Sequence, residues 1–127
     1  MSSCVLDSSA LLALLLNEPG ADLVAGYFPD VCMSAVNLAE VIAKLCERGM
    51  PPEDARQAVA NTGLDVVAFD EDQAHHTGAL RSATRAFGLS LGDRACLALA
   101  QSRGLPAVTA DRVWQQVADL TVVLIRA

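Results

Sequence analysis

Short β-rich runs alternate with longer helical ones along the whole of this sequence, and no other feature narrows the choice of folds so far. A strand, a crossover helix and a second strand return the chain in the same direction. The alternation therefore describes an α/β fold around a central, mainly parallel sheet. Five runs read as strands: residues 4–6, 31–33, 64–69, 106–109 and 121–125. The segments between them carry helix punctuation. Residues 8–16 are an apolar helix broken at Asn17-Glu18-Pro19-Gly20, and residues 21–28 are a second, short one. Ser34 caps a helix that runs to Glu47, with Gly49 just past its end and Leu38, Ile42 and Leu45 on one face. Pro51-Pro52-Glu53-Asp54 opens another helix, with proline and acids in the first turn. Asp70 caps a helix through Phe87, Gln73 stands at the reciprocal capping-box position, and Gly88 ends it. Ser90 caps the helix of residues 91–102, which is apolar on nearly every side and so buried. Asp111 starts a short helix to Val117.

The chain has 127 residues without linker, repeat or low-complexity tract, so residues 1–127 are expected to form a single domain. Hydrophobic residues make up 53% and charged residues 19%, enough to fill a core and too apolar for disorder. The longest uninterrupted apolar run, residues 10–16, is too short to span a bilayer. Nothing near Met1 has the basic, apolar and small-residue pattern of a secretion signal, which places the protein in the cytoplasm, away from membranes. Cys4, Cys32, Cys46 and Cys96 each lie in an apolar stretch and form no CxxC pair, so they are read as buried apolar residues rather than zinc ligands or disulfides.

The net charge is −6, and Lys44 is the only lysine. Phosphate binding normally rests on basic surface, so either the acids are clustered to hold cations or the acidic surface meets a basic protein. The positions of Asp7, Glu40, Asp93 and Asp111 bear on this choice. Asp7 and Asp111 fall at or just past the carboxyl ends of the first and fourth strands. Glu40 lies in the second turn and Asp93 in the first turn of helices, which in a parallel α/β unit start at that same edge. Open α/β sheets bind ligands there. Carboxylates without basic partners repel and tend to take up protons. Magnesium or manganese relieves that repulsion, favours oxygen ligands, and serves phosphodiester hydrolysis.

Each acid also has a plain explanation. Asp7 and Asp111 precede helices and fit as N-caps. Ser90 and Asp93 fit a capping box. Glu40 lies beside Asn37 and Lys44, where a solvated face with an i,i+4 Glu–Lys pair would account for it. Only convergence of all four on one edge favours a site.

The same residues carry a family resemblance. Val5-Leu6-Asp7-Ser8-Ser9-Ala10-Leu11 with the following Asn17-Glu18-Pro19-Gly20, then Ser34-Ala35-Val36-Asn37-Leu38-Ala39-Glu40-Val41, then Leu89-Ser90-Leu91-Gly92-Asp93-Arg94-Ala95-Cys96, and finally Thr109-Ala110-Asp111 resemble, in order and spacing, the four acidic motifs of the PIN-domain family. The compact form is most similar to its VapC-type toxins. The resemblance implies a three-layer α/β/α fold with a five-stranded sheet of order 3-2-1-4-5. It implies Mg2+ or Mn2+ held by Asp7, Glu40, Asp93 and Asp111, and endonucleolytic cleavage of RNA, often in tRNA or rRNA. It also implies a cognate antitoxin whose tail enters the active-site groove, and a toxin homodimer.

Other residues invite weaker readings. Arg94 and Arg112 each follow a proposed ligand and are candidates for phosphate contact, against a plain neutralising role. Arg81 and Arg85 are either a basic patch or a solvated face. Ser8 and Thr109 place hydroxyls near the acids. Histidine is a residue type suited to general-base work, but His75 and His76 fall away from the acidic edge, and Trp114 reads as core or partner contact rather than a stacking platform. A receiver-like signalling domain would need an acidic pair after the first strand, where Ser8-Ser9 stands, and a lysine near the fifth. An aspartyl phosphatase would need an acid at Ser9. A catalytically silent PIN fold acting as a binding module would be expected to lack some of the four acids, all of which are present.

Overall fold

The structure, a computed structural model, describes all residues 1–127. The strands are β1 (Cys4–Leu6), β2 (Val31–Ser34), β3 (Asp65–Val67), β4 (Ala107–Thr109) and β5 (Val122–Leu124). They form one sheet in the order β3-β2-β1-β4-β5, and every neighbouring pair is parallel. The helices are α1 (Ser8–Leu16), α2 (Ala21–Ala25), α3 (Ala35–Glu47), α4 (Pro52–Ala60), α5 (Glu71–Thr84) and α6 (Leu91–Arg103). The fold is therefore the three-layer α/β/α arrangement of order 3-2-1-4-5 that the sequence pattern and its resemblance led one to expect.

The two-residue period of the strands divides the core between the sheet's faces. Cys4 and Leu6 of β1, Val31 and Met33 of β2 and Val108 of β4 pack against Ala10, Leu11, Val24, Val41, Leu45 and Val59 from the α1–α4 side. Val5, Cys32 and Ala107 point to the opposite face and meet Cys96, Leu97, Leu99, Ala100 and Trp114. Because both faces are covered, the central strands read as unbroken apolar runs rather than alternating ones. No helix is long and apolar enough to cross a membrane. The four cysteines are unpaired, and burial pushes the Cys4 thiol up to about 11 and raises Cys32 and Cys96 as well.

Several expectations need correction. Strand β3 is shorter than the expected run of residues 64–69: only Asp65–Val67 pair with β2. α2 closes at Ala25, short of residue 28. The helix from Asp70 tightens into a 3₁₀ turn over Arg85–Phe87, and the segment after Asp111 is a 3₁₀ turn, Arg112–Gln116, rather than an α-helix. Only half of the Asp70 capping box forms, since Gln73 Nε2 reaches Ser102 instead of returning to the cap. The fully buried stripe of α3 is Asn37, Val41 and Leu45, while Leu38 and Ile42 lie half-buried on its flank.

The Asn17-Glu18-Pro19-Gly20 segment has a mechanical task. Asn17 ends α1 in a left-handed conformation. Gly20 has φ 99°, and a Cβ there would stand 2.7 Å from the Ile125 carbonyl oxygen. Arg126 Nη1 donates to Pro19 O at 2.8 Å. The turn thus seats the end of the chain against the start of α2.

Candidate active site at the carboxyl edge of the sheet

Asp7 leaves β1 in an extended conformation and caps α1, so its position is set by the strand on one side and the helix on the other. It is 4% exposed. Its Oδ1 accepts from Ala10 N at 2.8 Å and from Ser9 Oγ at 2.7 Å, and its Oδ2 accepts from Thr109 Oγ1 at 2.6 Å. Burial pushes its carboxyl up to about 6, opposed by these hydrogen bonds and assisted by the charge of Asp93. Thr109, the last residue of β4, also accepts from Asp111 N at 3.0 Å, so one buried hydroxyl joins the first and fourth acidic segments. Ser9 does the same beside it, accepting from Ala110 N at 2.9 Å.

Glu40 stands in the second turn of α3. Its Oε1 accepts from Ser8 Oγ and from Asn37 Nδ2, each at 3.0 Å. Lys44, its expected i,i+4 partner, pairs with Glu47 at 3.7 Å instead. The solvated Glu–Lys face proposed for Glu40 is therefore not what forms: the carboxylate turns inward, toward α1 and α6. Asn37, which that reading placed on the same solvated face, is 1% exposed. Its amide also donates to Gly92 O at 3.0 Å, and a Cβ on Gly92 would collide with the Glu40 carboxylate.

Asp93 occupies a full capping box, receiving Ser90 N at 3.0 Å on Oδ2 while its own N–H donates to Ser90 Oγ at 3.1 Å. Its carboxyl is raised by burial, which Ser90 partly offsets and the charges of Asp111 and Glu40 reinforce. Asp111 is exposed and caps the 3₁₀ turn through Val113 N at 3.1 Å.

All four acids therefore lie along one edge; Asp7 and Asp111 are also N-caps, and Asp93 is the partner of the Ser90 cap in its capping box. The plain capping reading holds for Asp7, Asp93 and Asp111. Neither of the two ion pairs, Lys44–Glu47 and Glu71–His75, involves any of the four. As they lie, no three acidic side chains converge closely enough to ligate one cation. Their donor chemistry nonetheless fits a hard divalent ion: carboxylate oxygens, two of them raised by burial and by the charges of neighbouring acids, with no ion-pair partner to neutralise them.

The flanking candidates separate. Arg94 Nη1 donates to Thr77 O at 3.1 Å, which commits it to packing α6 on α5 rather than to an incoming phosphate. Arg112 is exposed beside Asp111, and Arg81 and Arg85 are exposed at the end of α5. His76 meets Gln101 at 3.0 Å and His75 meets Glu71 at 3.5 Å, both on the outer α5 layer. Trp114 is fully buried in the core. Sequence reasoning missed Asn37 and Ser9. Their signals were the i,i+3 step from Asn37 to Glu40 and the i,i+2 step from Asp7 to Ser9.

A parallel sheet with an acidic carboxyl edge, fed by four separate segments, defines the class: an α/β domain built to present carboxylates at the ends of its strands. Residues 4–120 match the family model of the PIN domain, and the chain belongs to that family. Among solved structures, it is similar to a chain of DNA-bound VapBC from Salmonella typhimurium, with 24% identity and a TM-score of 0.79 over 98% of this chain and 99% of that one. It is similar to VapC20 of Mycobacterium tuberculosis, described as a sarcin-ricin loop cleaving toxin, with 20% identity and a TM-score of 0.77 over 91% and 95%. FitAcB from Neisseria gonorrhoeae matches at 20% identity and a TM-score of 0.74, over 96% and 97%. A sequence search of curated proteins gives no significant match. At these identities the structural likeness speaks for the fold.

Proposed function

We propose that this chain is a divalent-cation-dependent endoribonuclease and the toxin half of a toxin–antitoxin pair. Asp7, Glu40, Asp93 and Asp111 would hold Mg2+ or Mn2+ at the carboxyl edge of the sheet. The observation that carries this reading is the set of four carboxylates with no basic partner, two of them with carboxyls raised by burial and by neighbouring acids. A buried charge whose hydrogen bonds do not offset its desolvation costs stability, and such groups cluster at functional sites. The likeness to a sarcin-ricin loop cleaving toxin and to chains from toxin–antitoxin complexes supports the choice of RNA and of an antitoxin partner.

The bound cation would polarise a phosphoryl oxygen and lower the pKa of a water for attack on phosphorus. The chain's own residues set the stage for this. Thr109 and Ser9 fix both oxygens of Asp7 and tie them to the loop that carries Asp111. Ser8 and Asn37 hold Oε1 of Glu40, which leaves Oε2 as its free oxygen. The capping box holds Asp93 through Oδ2. Arg112, exposed next to Asp111, is the side chain best placed to meet substrate phosphate. With a net charge of −6, the chain suits an antitoxin with a basic tail that enters the acidic groove, and the toxin is expected to act as a homodimer in the cytoplasm.

Incubation of purified, antitoxin-free protein with total bacterial RNA tests the reading. Discrete fragments should form with Mg2+ or Mn2+, fail to form with a chelator, and vanish in Asp93→Asn. A folded wild-type protein that cleaves nothing under any metal, yet binds its antitoxin, would favour a catalytically silent binding module.

A further inference from the structure

Asn37 stands where three segments of the edge meet. It is 1% exposed, and both of its amide hydrogens are committed: one to Glu40 Oε1 and one to Gly92 O, each at 3.0 Å. Both partners are acceptors, so the amide nitrogen must face them. This leaves the amide oxygen, Oδ1, buried without a partner. An unsatisfied buried acceptor is uncommon and calls for a reason. A position chosen for packing alone would carry an apolar residue here, in line with Val41 and Leu45 on the same buried stripe. Gly92 completes the arrangement, since any side chain there would occupy the place of the Glu40 carboxylate.

We propose that Asn37 is a positioning residue, which clasps Glu40 to the first turn of α6 and so holds the Glu40 carboxylate beside the segment that carries Asp93, where a divalent cation would draw on both acids. The inference rests on the nuclease reading above. One amide hydrogen holds Glu40 within α3, and the other is a directed bond across to Gly92 O of α6, so the pair is tied to the neighbouring helix through a single amide. It also determines which oxygen of Glu40 is free to face the edge. The orphaned Oδ1 is the cost of spending both hydrogens on that task.

Two substitutions test this by independent routes. Asn37→Asp keeps the shape and removes both donors, placing a carboxylate against Glu40. Gly92→Ala leaves Asn37 in place and adds a helix-favouring methyl that pushes the flexible Glu40 tip aside. Mn2+ affinity is read from the free-ion signal in electron paramagnetic resonance, beside circular dichroism of the metal-free proteins. Both variants should bind Mn2+ at least about tenfold more weakly than wild type while remaining folded, the range seen when an outer-shell partner of a metal ligand is lost. RNA cleavage should recover toward the wild-type rate as Mn2+ is raised. Unchanged Mn2+ affinity in a folded Asn37→Asp would overturn the proposal, as would normal affinity in Gly92→Ala should the first variant fail to fold. A wild-type protein that binds no Mn2+ would overturn the nuclease reading together with it, whereas wild-type binding that the two variants share would sink the clasp alone.

Discussion

Two helices of this protein start in the same way and in opposite surroundings. Asp7 caps α1 and Asp70 caps α5; both are extended, and each accepts a backbone N–H three residues on, at 2.8 and 2.9 Å. Asp70 is exposed on the outer layer, where water shares the work and where Ser, Thr or Asn would cap as well. Asp7 is 4% exposed, carries two further hydroxyl donors, and has its carboxyl pushed up to about 6. Capping explains the first aspartate completely. It does not explain why the second keeps a charge that its surroundings penalise. The difference separates the structural use of a residue type from the chemical one, in a chain where both uses fall on helix starts.

The comparison can be broken most decisively by activity. Asp7→Asn keeps a capping oxygen and removes the charge, so RNA cleavage in Mg2+ should fall by at least about a hundredfold, since even an outer-shell partner is worth ten- to a hundredfold. Asp70→Asn should leave it within about twofold. Equal losses, measured on the same RNA, would mean that the rim acids matter only as caps.

Stability should move in the opposite sense. A carboxyl raised from 3.8 to about 6 makes the native state bind a proton more tightly than the unfolded state. Its cost to stability is therefore absent below about pH 4, grows as pH rises through the 4–6 window, and is complete above about 6. At about 1.4 kcal/mol per unit the cost is roughly 3 kcal/mol at neutral pH. Asp7→Asn, free of that cost, should unfold later than wild type at pH 7.5 in the absence of metal and lose the advantage at pH 4. Urea titrations at the two pH values measure this. An Asp7→Asn protein less stable than wild type at pH 7.5 would show that the cap outweighs the charge.

A smaller effect is expected at Thr109. Thr109→Val leaves Asp7 Oδ2 buried without its donor, which should cost about 1–3 kcal/mol at pH 7.5. Much of that loss should be recovered in the double variant with Asp7→Asn, and additive losses in a double-mutant cycle would refute the coupling. The smallest change is Asp70→Ala, about 1 kcal/mol of stability with no dependence on divalent cation.

The sequence carried much of this in the spacing of its punctuation. β1, β2, β4 and β5 stood out as apolar runs, the first three buried throughout and β5 half-buried at the sheet's edge, and the caps Ser34, Asp70 and Ser90 fell where the structure has them. The four acids were legible because strand ends and helix starts share one edge of a parallel sheet. Sheet order came from the resemblance, since periodicity does not say which strands are neighbours. What escaped notice was tertiary. Asn37 looked like a polar residue on a wet face until α6 covered it. Lys44 had two acids within reach along α3, and only the inward turn of Glu40 decides between them. The end of the α5 helix tightened at Arg85–Phe87, a local choice to which hydrophobic pattern is blind.

The central claim is that the carboxyl edge holds charge for a cation, and thermal unfolding of wild type and Asp7→Asn at pH 7.5, with and without Mn2+, tests it most directly. Without metal, Asp7→Asn should melt above wild type. Millimolar Mn2+ should raise the wild-type midpoint and leave that of Asp7→Asn nearly unmoved, closing or reversing the gap. Equal shifts in both proteins, or none in wild type, would contradict the account.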